Sequence, residues 1–220
     1  MKENEMIFGI RAIIEAIKSD KQIDKIILKN DMQSELAKEL FNAIKGFSHI
    51  QVQRVPLERL NRYTHKNHQG AIAFVSQTTY QLVSDIVPTL YEEGKTPFFV
   101  VLDGVTDVRN FGAIARTCEC GGVDAIVIPV KGGASVNADA VKTSAGALHT
   151  LPVCKESNLV SALKFLKQCG IRIVVASEKG NKNYTEANLY DPVAIVMGAE
   201  DKGVSPEILR LCDEMVSIPI

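Results

Sequence analysis

The stretch FFVVLDGVTDVRNFGAIARTCECGGVDAIVIPVK, Phe98 to Lys131, constrains the fold of this chain more than any other. It opens on an apolar run of aromatic and β-branched residues, Phe98 to Leu102, which suits a buried strand. A polar turn follows, from Asp103-Gly104 to Arg109. The small-residue segment Asn110 to Glu119 has a helical pattern, and Gly121-Gly122 stops it before a second apolar run, Ala125 to Ile128. Strand, loop, helix and strand in this order predict a right-handed βαβ crossover and a parallel sheet. In such sheets ligands bind at loops leaving the carboxyl ends of strands. Asn110 and Arg116 fall in that region.

Each of these two residues has an ordinary reading beside a functional one. Asn is a preferred helix N-cap, and Asn110 directly precedes Phe111-Gly112-Ala113-Ile114. Arg116 falls off the face carrying Ile114 and Cys118, as a solvated surface charge would. The segment alone leaves both readings open.

At 220 residues the chain is long enough for one domain or two small ones with real cores. Hydrophobic content of 46% with 23% charged residues is that of an ordinary soluble globular protein. No window is an uninterrupted apolar membrane span, and Met1 to Asp20 carries charges throughout instead of a signal-peptide core. Five cysteines with no CxxC read as reduced thiols of a cytoplasmic protein, not as a disulfide or metal framework. His65 and His68 have no matching ligands nearby, so no metal is expected.

The net charge of −1 hides an asymmetry: residues 1–76 carry 12 Lys and Arg against 9 Asp and Glu, residues 77–220 carry 13 against 17. A basic module on an acidic remainder points softly to a polyanion partner for residues 1–76. Within that module Phe8 to Lys18 predicts an amphipathic helix with Ile10, Ile13, Ile14 and Ile17 inward. Lys25 to Lys29 encloses a strand, Gln33 to Lys45 a second helix, and Ile50 to Val55 alternates. Pro56 to Asn61 reads as a short helix and Ala71 to Val75 as a third strand. A polar connector lies near Gln77 to Gln81. Arg54, Arg59, Arg62, His65, Lys66 and His68 cluster around Tyr63, opposed only by Glu58. Cations interleaved with an aromatic and amides suit RNA loops, although a solvated loop has the same look.

The remainder continues with a helix over Ser84 to Glu92, the central crossover, a small-residue segment Lys142-Thr143-Ser144-Ala145-Gly146-Ala147, a helix over Asn158 to Gln168 and a strand over Ile171 to Ala176. Another strand, Pro192 to Met197, runs into Gly198-Ala199-Glu200-Asp201-Lys202-Gly203. Ser205 and Pro206 then open a helix as cap and first helical residue. Met215 to Ile218 is a last strand. The small residues around Ser144 allow either close approach to a ligand or tight helix packing.

Taken together, DVRNFGAIARTCECGGVDAIVIP, KTSAGALHTLPV and IVMGAEDKGVSPEILRLCDEMVSIPI resemble, in order and spacing, the motifs of SpoU-type SPOUT methyltransferases. The segment from IFGIRAIIEAI to HQGAIAFV is similar to the L30e/L7Ae-like module preceding the catalytic domain in the 23S rRNA guanosine enzymes. The resemblance implies an L30e/L7Ae-like α/β sandwich over residues 1–76, linker and first helix over 77–94, and a mostly parallel-sheet SPOUT (α/β knot) domain over 95–220. It implies methyl transfer from S-adenosylmethionine to a ribose 2′-hydroxyl of RNA, with a guanosine of 23S rRNA as target, by a cytoplasmic homodimer without metal or membrane. Arg54, Arg59, Arg62, Tyr63, Lys66 and His68 are then the candidates for RNA contact.

A ribose 2′-hydroxyl is a poor nucleophile, so the site must hold it in line and help remove its proton. Free arginine is a poor base, which favours Arg116 as a phosphate and alkoxide clamp, while the resemblance also allows it a phosphate-assisted part in proton removal. Asn110 and Glu200 are expected to orient ribose and guanidinium. For the cofactor the resemblance points to Ser144, Ser177, Met197, Gly198, Ser217 and Ile218, with Gly198 keeping room for the adenosine. The family continues past the IPI with a knot-completing terminal helix that the 220-residue sequence does not include, so the expectation is weak cofactor binding by this form. Two other functions fit the same residues: a non-catalytic RNA-binding or ribosome-assembly protein, and a transfer RNA 2′-O-methyltransferase.

Overall fold

A computed structural model describes residues 6–219. The chain divides into two compact units, Met1–Thr78 with Val136–Ala138, and Thr79–Ser135 with Asp139–Ile220.

The smaller unit runs β1 (Met6–Phe8), α1 (Ile10–Lys18), β2 (Ile23–Lys29), α2 (Glu35–Ile44), β3 (Gln51–Val55), α3 (Leu57–Asn61) and β4 (Ala71–Val75), with sheet order β1-β4-β2-β3. The helix expected from Phe8 starts two residues later. Met6–Phe8 is instead a strand antiparallel to β4, and Gly9, at φ 94°, turns the chain into α1. A three-residue apolar strand carries too little periodicity to be told from the helix it abuts. α2 is shorter than expected because Ser34 caps it, its hydroxyl accepting the Ala37 N–H at 3.2 Å.

Strand alternation gives this sheet two different faces. Ile26, Leu28, Ala71 and Ala73 join Ile10, Ile13, Ile14 and Ile17 of α1 and Leu40 of α2 in one core. On the other face Ile27, Val55 and Ile72 meet Leu60 of the short α3, with Met6, Phe8 and Phe74 only partly covered.

The larger unit comprises β5 (Tyr80–Gln81), α4 (Val83–Glu92), β6 (Phe98–Asp103), α5 (Val108–Cys120), β7 (Ala125–Pro129), α6 (Ala138–Thr143), β8 (Val153–Glu156), α7 (Leu159–Gln168), β9 (Arg172–Ala176), β10 (Lys182–Asn183), β11 (Val193–Gly198), α8 (Pro206–Leu211) and β12 (Glu214–Ser217). All pairings in its eight-stranded sheet are parallel, in the order β10-β12-β9-β11-β6-β7-β8-β5. Both faces of its centre are buried, which is why Phe98–Leu102 reads as an unbroken apolar run. Phe99, Val101, Val127, Val175 and Val196 pack against Val87 of α4, Leu163 and Leu166 of α7 and Ile208 of α8. Burying a side chain such as Phe99, fully inaccessible here, contributes about 1.5–3 kcal/mol.

Three strands of this sheet were not expected from sequence, the two-residue β10 among them. Tyr80–Gln81, read as connector, forms the edge strand β5 on β8. β8 itself is disguised by Lys155 and Glu156: the buried Lys155 ammonium lies 4.5 Å from the Tyr80 ring centroid, and the Glu156 carboxylate accepts the Val83 N–H at 2.8 Å. The cysteines are free, and only Cys118 and Cys154 are buried. Burial pushes the Cys118 thiol up to about 11, leaving it an inert core group. Among the described residues no helix is long and apolar enough to cross a membrane.

The strand order reverses at one place. From β6 the chain builds outward to β7 and β8, then returns to the opposite side of β6 for β9, β11 and β12. The carboxyl ends of β6 and β11 therefore flank a topological switch point, where parallel sheets open a crevice.

Candidate active site

A cleft of about 970 Å³ occupies that crevice, lined by the turn after β6, the first turns of α5 and the turn after β11. Its wall includes Thr106, Asp107, Asn110, Ile114, Gly198 and Glu200.

Asp107 sets the entry to α5. Its Oδ1 accepts the N–H groups of Arg109 and Asn110, both at 2.8 Å, so Asp107 is the cap and the helix begins at Val108. The capping role open to Asn110 in the sequence thus belongs to Asp107. Asn110 sits in the first turn with its exposed side chain on the cleft wall.

The opposite wall is held by the main chain. Gly198 pairs in register with Asp103, and Ala199 and Gly203 exchange two backbone hydrogen bonds of 3.2 and 2.8 Å that close the turn carrying Glu200. Asp103 Oδ2 accepts the Ser205 N–H at 2.7 Å, tying the two loops together. A Cβ on Gly198 would lie 2.1 Å from the Gly203 carbonyl carbon. The glycine is required here by the chain's own backbone, a reason different from the ligand clearance expected of it. Ser205 occupies the cap position of α8 with Pro206 next, but its side chain makes no capping bond.

The three expected catalytic residues divide. Asn110 and Glu200 share the cleft; Arg116 does not line it. It is exposed on α5, and at about 100° per residue it stands about 60° around the helix from Ala113 of the wall.

Of the expected cofactor residues, five gather at one end of the sheet. Ser177 follows β9, Met197 and Gly198 end β11, Ser217 ends β12 and Ile218 follows it, three parallel strands adjacent in the order β12-β9-β11. Ser177 N–H donates to the Val216 carbonyl at 2.9 Å, and Ile218 is 53% exposed. Ser144 is placed differently. It is fully buried, its hydroxyl donating to the Val141 carbonyl at 2.8 Å and accepting the Leu148 N–H at 3.3 Å. A Cβ on Gly112 would lie 3.1 Å from the Ser144 nitrogen and 2.8 Å from the Ala140 carbonyl oxygen. The small residues around Ser144 thus allow α5 and α6 to pack closely.

Behind this edge Glu214 receives both Lys182 and Arg172, the latter at 2.8 Å. Lys182 foremost, and Arg172 with it, hold the Glu214 carboxyl below the usual glutamate range.

The basic cluster of the smaller unit is also divided. Arg54 points to the helical face, its guanidinium 5.0 Å from the Phe41 ring centroid and donating to the Asn30 carbonyl at 2.9 Å. His68 is buried, Nδ1 accepting the Gly70 N–H at 3.0 Å and Nε2 bonded to Asn61 Oδ1 at 2.9 Å. Both side chains are engaged within their own unit, Arg54 at its surface and His68 in its interior, where loop charges had been expected. Tyr63 and Lys66 lie on the other face: Tyr63 meets Phe74 edge to face at 5.5 Å, and the Lys66 ammonium is 5.3 Å from the Phe8 ring centroid. Arg59 and Arg62 are exposed and form no intrachain hydrogen bond or ion pair among the described residues.

Residues 97–220 match the family model described as the SpoU rRNA Methylase family, and residues 6–81 match one described as RNA 2′-O ribose methyltransferase substrate binding. The chain is 33% identical over 220 residues to the 23S rRNA (guanosine-2′-O-)-methyltransferase RlmB of Photorhabdus laumondii, covering 99% of this chain and 89% of that protein. It is 31% identical to the RlmB of Vibrio parahaemolyticus, with 99% and 88% covered. In fold it is similar to the SpoU methyltransferase AviRb of Streptomyces viridochromogenes in complex with AdoMet, with a TM-score of 0.58 at 20% identity, covering 98% of this chain and 80% of that one.

Proposed function

This chain belongs to the SpoU rRNA methylase family, and from that premise we propose that it transfers a methyl group from S-adenosylmethionine to a ribose 2′-hydroxyl of ribosomal RNA, a guanosine of 23S rRNA. The observation that carries this reading is the meeting of Asn110 and Glu200, distant in sequence, on one cleft at the switch point of a parallel sheet.

The methyl donor's demands fit what lies beside the cleft. An adenosine needs an apolar wall and main-chain partners more than side-chain charge. Half-buried Met197 and exposed Ile218 supply the wall, and the ends of β9, β11 and β12 supply the main chain. When bound, the donor provides an electrophilic sulfonium methyl. The work left to the protein is to hold the 2′-hydroxyl in line and favour its alkoxide character. The Asn110 amide, both donor and acceptor, fixes the hydroxyl's direction. Glu200 receives a ribose hydroxyl. Arg116, exposed next to the Ala113 side of the cleft, meets the neighbouring phosphate and offsets the developing negative charge. The protein works as a homodimer in the cytoplasm, which the family resemblance supports and sedimentation velocity of the purified protein tests.

The decisive experiment measures incorporation of labelled methyl from S-adenosylmethionine into ribosomal RNA stripped of its own methylation, followed by mapping of the modified ribose. Arg116→Ala is expected to lower turnover about 10²–10³-fold with RNA affinity retained. Unimpaired turnover removes Arg116 from the chemistry, and no incorporation by the wild-type protein overturns the enzyme reading.

A further inference from the structure

The smaller unit covers one sheet face only with the short α3, and the composition of this more open face is specific. Strand register places Met6, Phe74, Lys25 and Gln51 in one row across β1, β4, β2 and β3, all half-exposed. Tyr63, 41% exposed, stands edge-on to Phe74, and Lys66 lies over Phe8 of the same face. Arg59, on α3 above this face, is close enough to Lys25 to oppose its charge; partial burial first and that guanidinium second lower the Lys25 ammonium below its usual range. Arg62 follows at the end of α3. Between residues 51 and 70 the sole carboxylate is Glu58.

We infer that this face, built from Lys25, Arg59, Arg62, Tyr63 and Lys66, binds an unpaired segment of the RNA substrate, its phosphates on the cations and a base on Tyr63. The inference rests on the RNA methylation reading and adds the location and the strandedness of the recognised segment. Several exposed cations held together at a cost in mutual repulsion are offset by a polyanion. An exposed aromatic ring among them distinguishes an unpaired strand from a duplex, because a base stacked inside a helix offers no face to Tyr63. The helical face lacks this combination: its cores are filled by Ile and Leu, and Arg54 there is already engaged with Phe41 and Asn30.

Fluorescence anisotropy with the full chain tests it, using an unstructured mixed-sequence RNA strand and the same sequence annealed as a duplex, over a series of salt concentrations. The wild-type protein is expected to prefer the single strand. The double variant Arg59→Gln/Arg62→Gln should lower the magnitude of the salt slope for the single strand by about 1.4, at about 0.7 for each phosphate no longer neutralised. Tyr63→Ala should weaken single-strand binding about tenfold at every salt concentration, and Tyr63→Phe should restore it. Arg54→Gln serves as the opposite-face control and leaves affinity unchanged. Equal affinity for duplex, an unaltered salt slope in the double variant, or a loss in Arg54→Gln as large as that in the double variant overturns the inference. Circular-dichroism melting of each variant separates weakened binding from failure to fold. Methyl incorporation is scored separately: single-strand binding that follows these variants in a protein without transferase activity would sink the enzyme reading and spare this face, and the converse result would do the reverse.

Discussion

The cleft of the larger unit and the open sheet face of the smaller one are assembled in opposite ways. Asn110 and Glu200 lie far apart in the chain and meet because β6 and β11 are neighbours at a switch point. Arg54, Arg59, Arg62, Tyr63, Lys66 and His68 lie within fifteen residues, and the fold separates them: Arg54 goes to the helical face, His68 into the interior, the rest to the open face. The first site is shaped by backbone and tolerates little change; the second is made of side chains on a platform and should lose function in increments.

After Arg116→Ala, the largest effect that would sharpen this contrast is expected from Asn110→Ala. Single-turnover methyl transfer should fall about 10²-fold on the proposal that this amide aligns the 2′-hydroxyl, while anisotropy reports unaltered RNA affinity. Loss of RNA affinity in step with rate would mean that the two sites are not separable. Gly198→Ala comes next. With backbone atoms only 2.1–2.4 Å from the added Cβ, the Ala199–Gly203 turn must shift, at about 3 kcal/mol of stability in urea unfolding. A variant as stable as the parent would show the turn to be adaptable and weaken the contrast.

A pH effect follows from Glu214. Its depressed carboxyl stabilises the fold fully above the ordinary glutamate range, and that contribution is lost as pH falls through the folded-state value. Melting temperatures of the wild type and Glu214→Gln should therefore differ at neutral pH and converge in acid. A gap that persists at low pH would assign the difference to packing rather than charge. The smallest effect is expected from Arg54→Gln. Removing the guanidinium from the Phe41 ring costs about 0.5–1 kcal/mol, read by denaturant midpoint.

Much of the fold was legible because period and punctuation agree. Phe98–Leu102, the small-residue helix and Ala125–Ile128 announce a parallel crossover, and Ile10, Ile13, Ile14 and Ile17 announce a helix. The short strands β1, β5, β8 and β10 were hidden, since two to four residues cannot display a period and Lys155-Glu156 imitates a loop. At the site, the crossover marked Asn110 as a candidate, and the family resemblance added Glu200. Asp107, as cap of α5, was missed because two neighbouring Asx residues could equally serve and only backbone geometry chooses between them.

By itself, then, the sequence determined which segments are helices and strands where the apolar period is long, and which residue types are available for chemistry. Only the tertiary structure decided which of them meet, since sheet order and strand alternation are set by packing between distant segments. Local propensity carries no record of either: the same alternation that puts Arg54 against Phe41 leaves Lys25 on the open side, and the register of β11 on β6 brings Glu200 opposite Asn110.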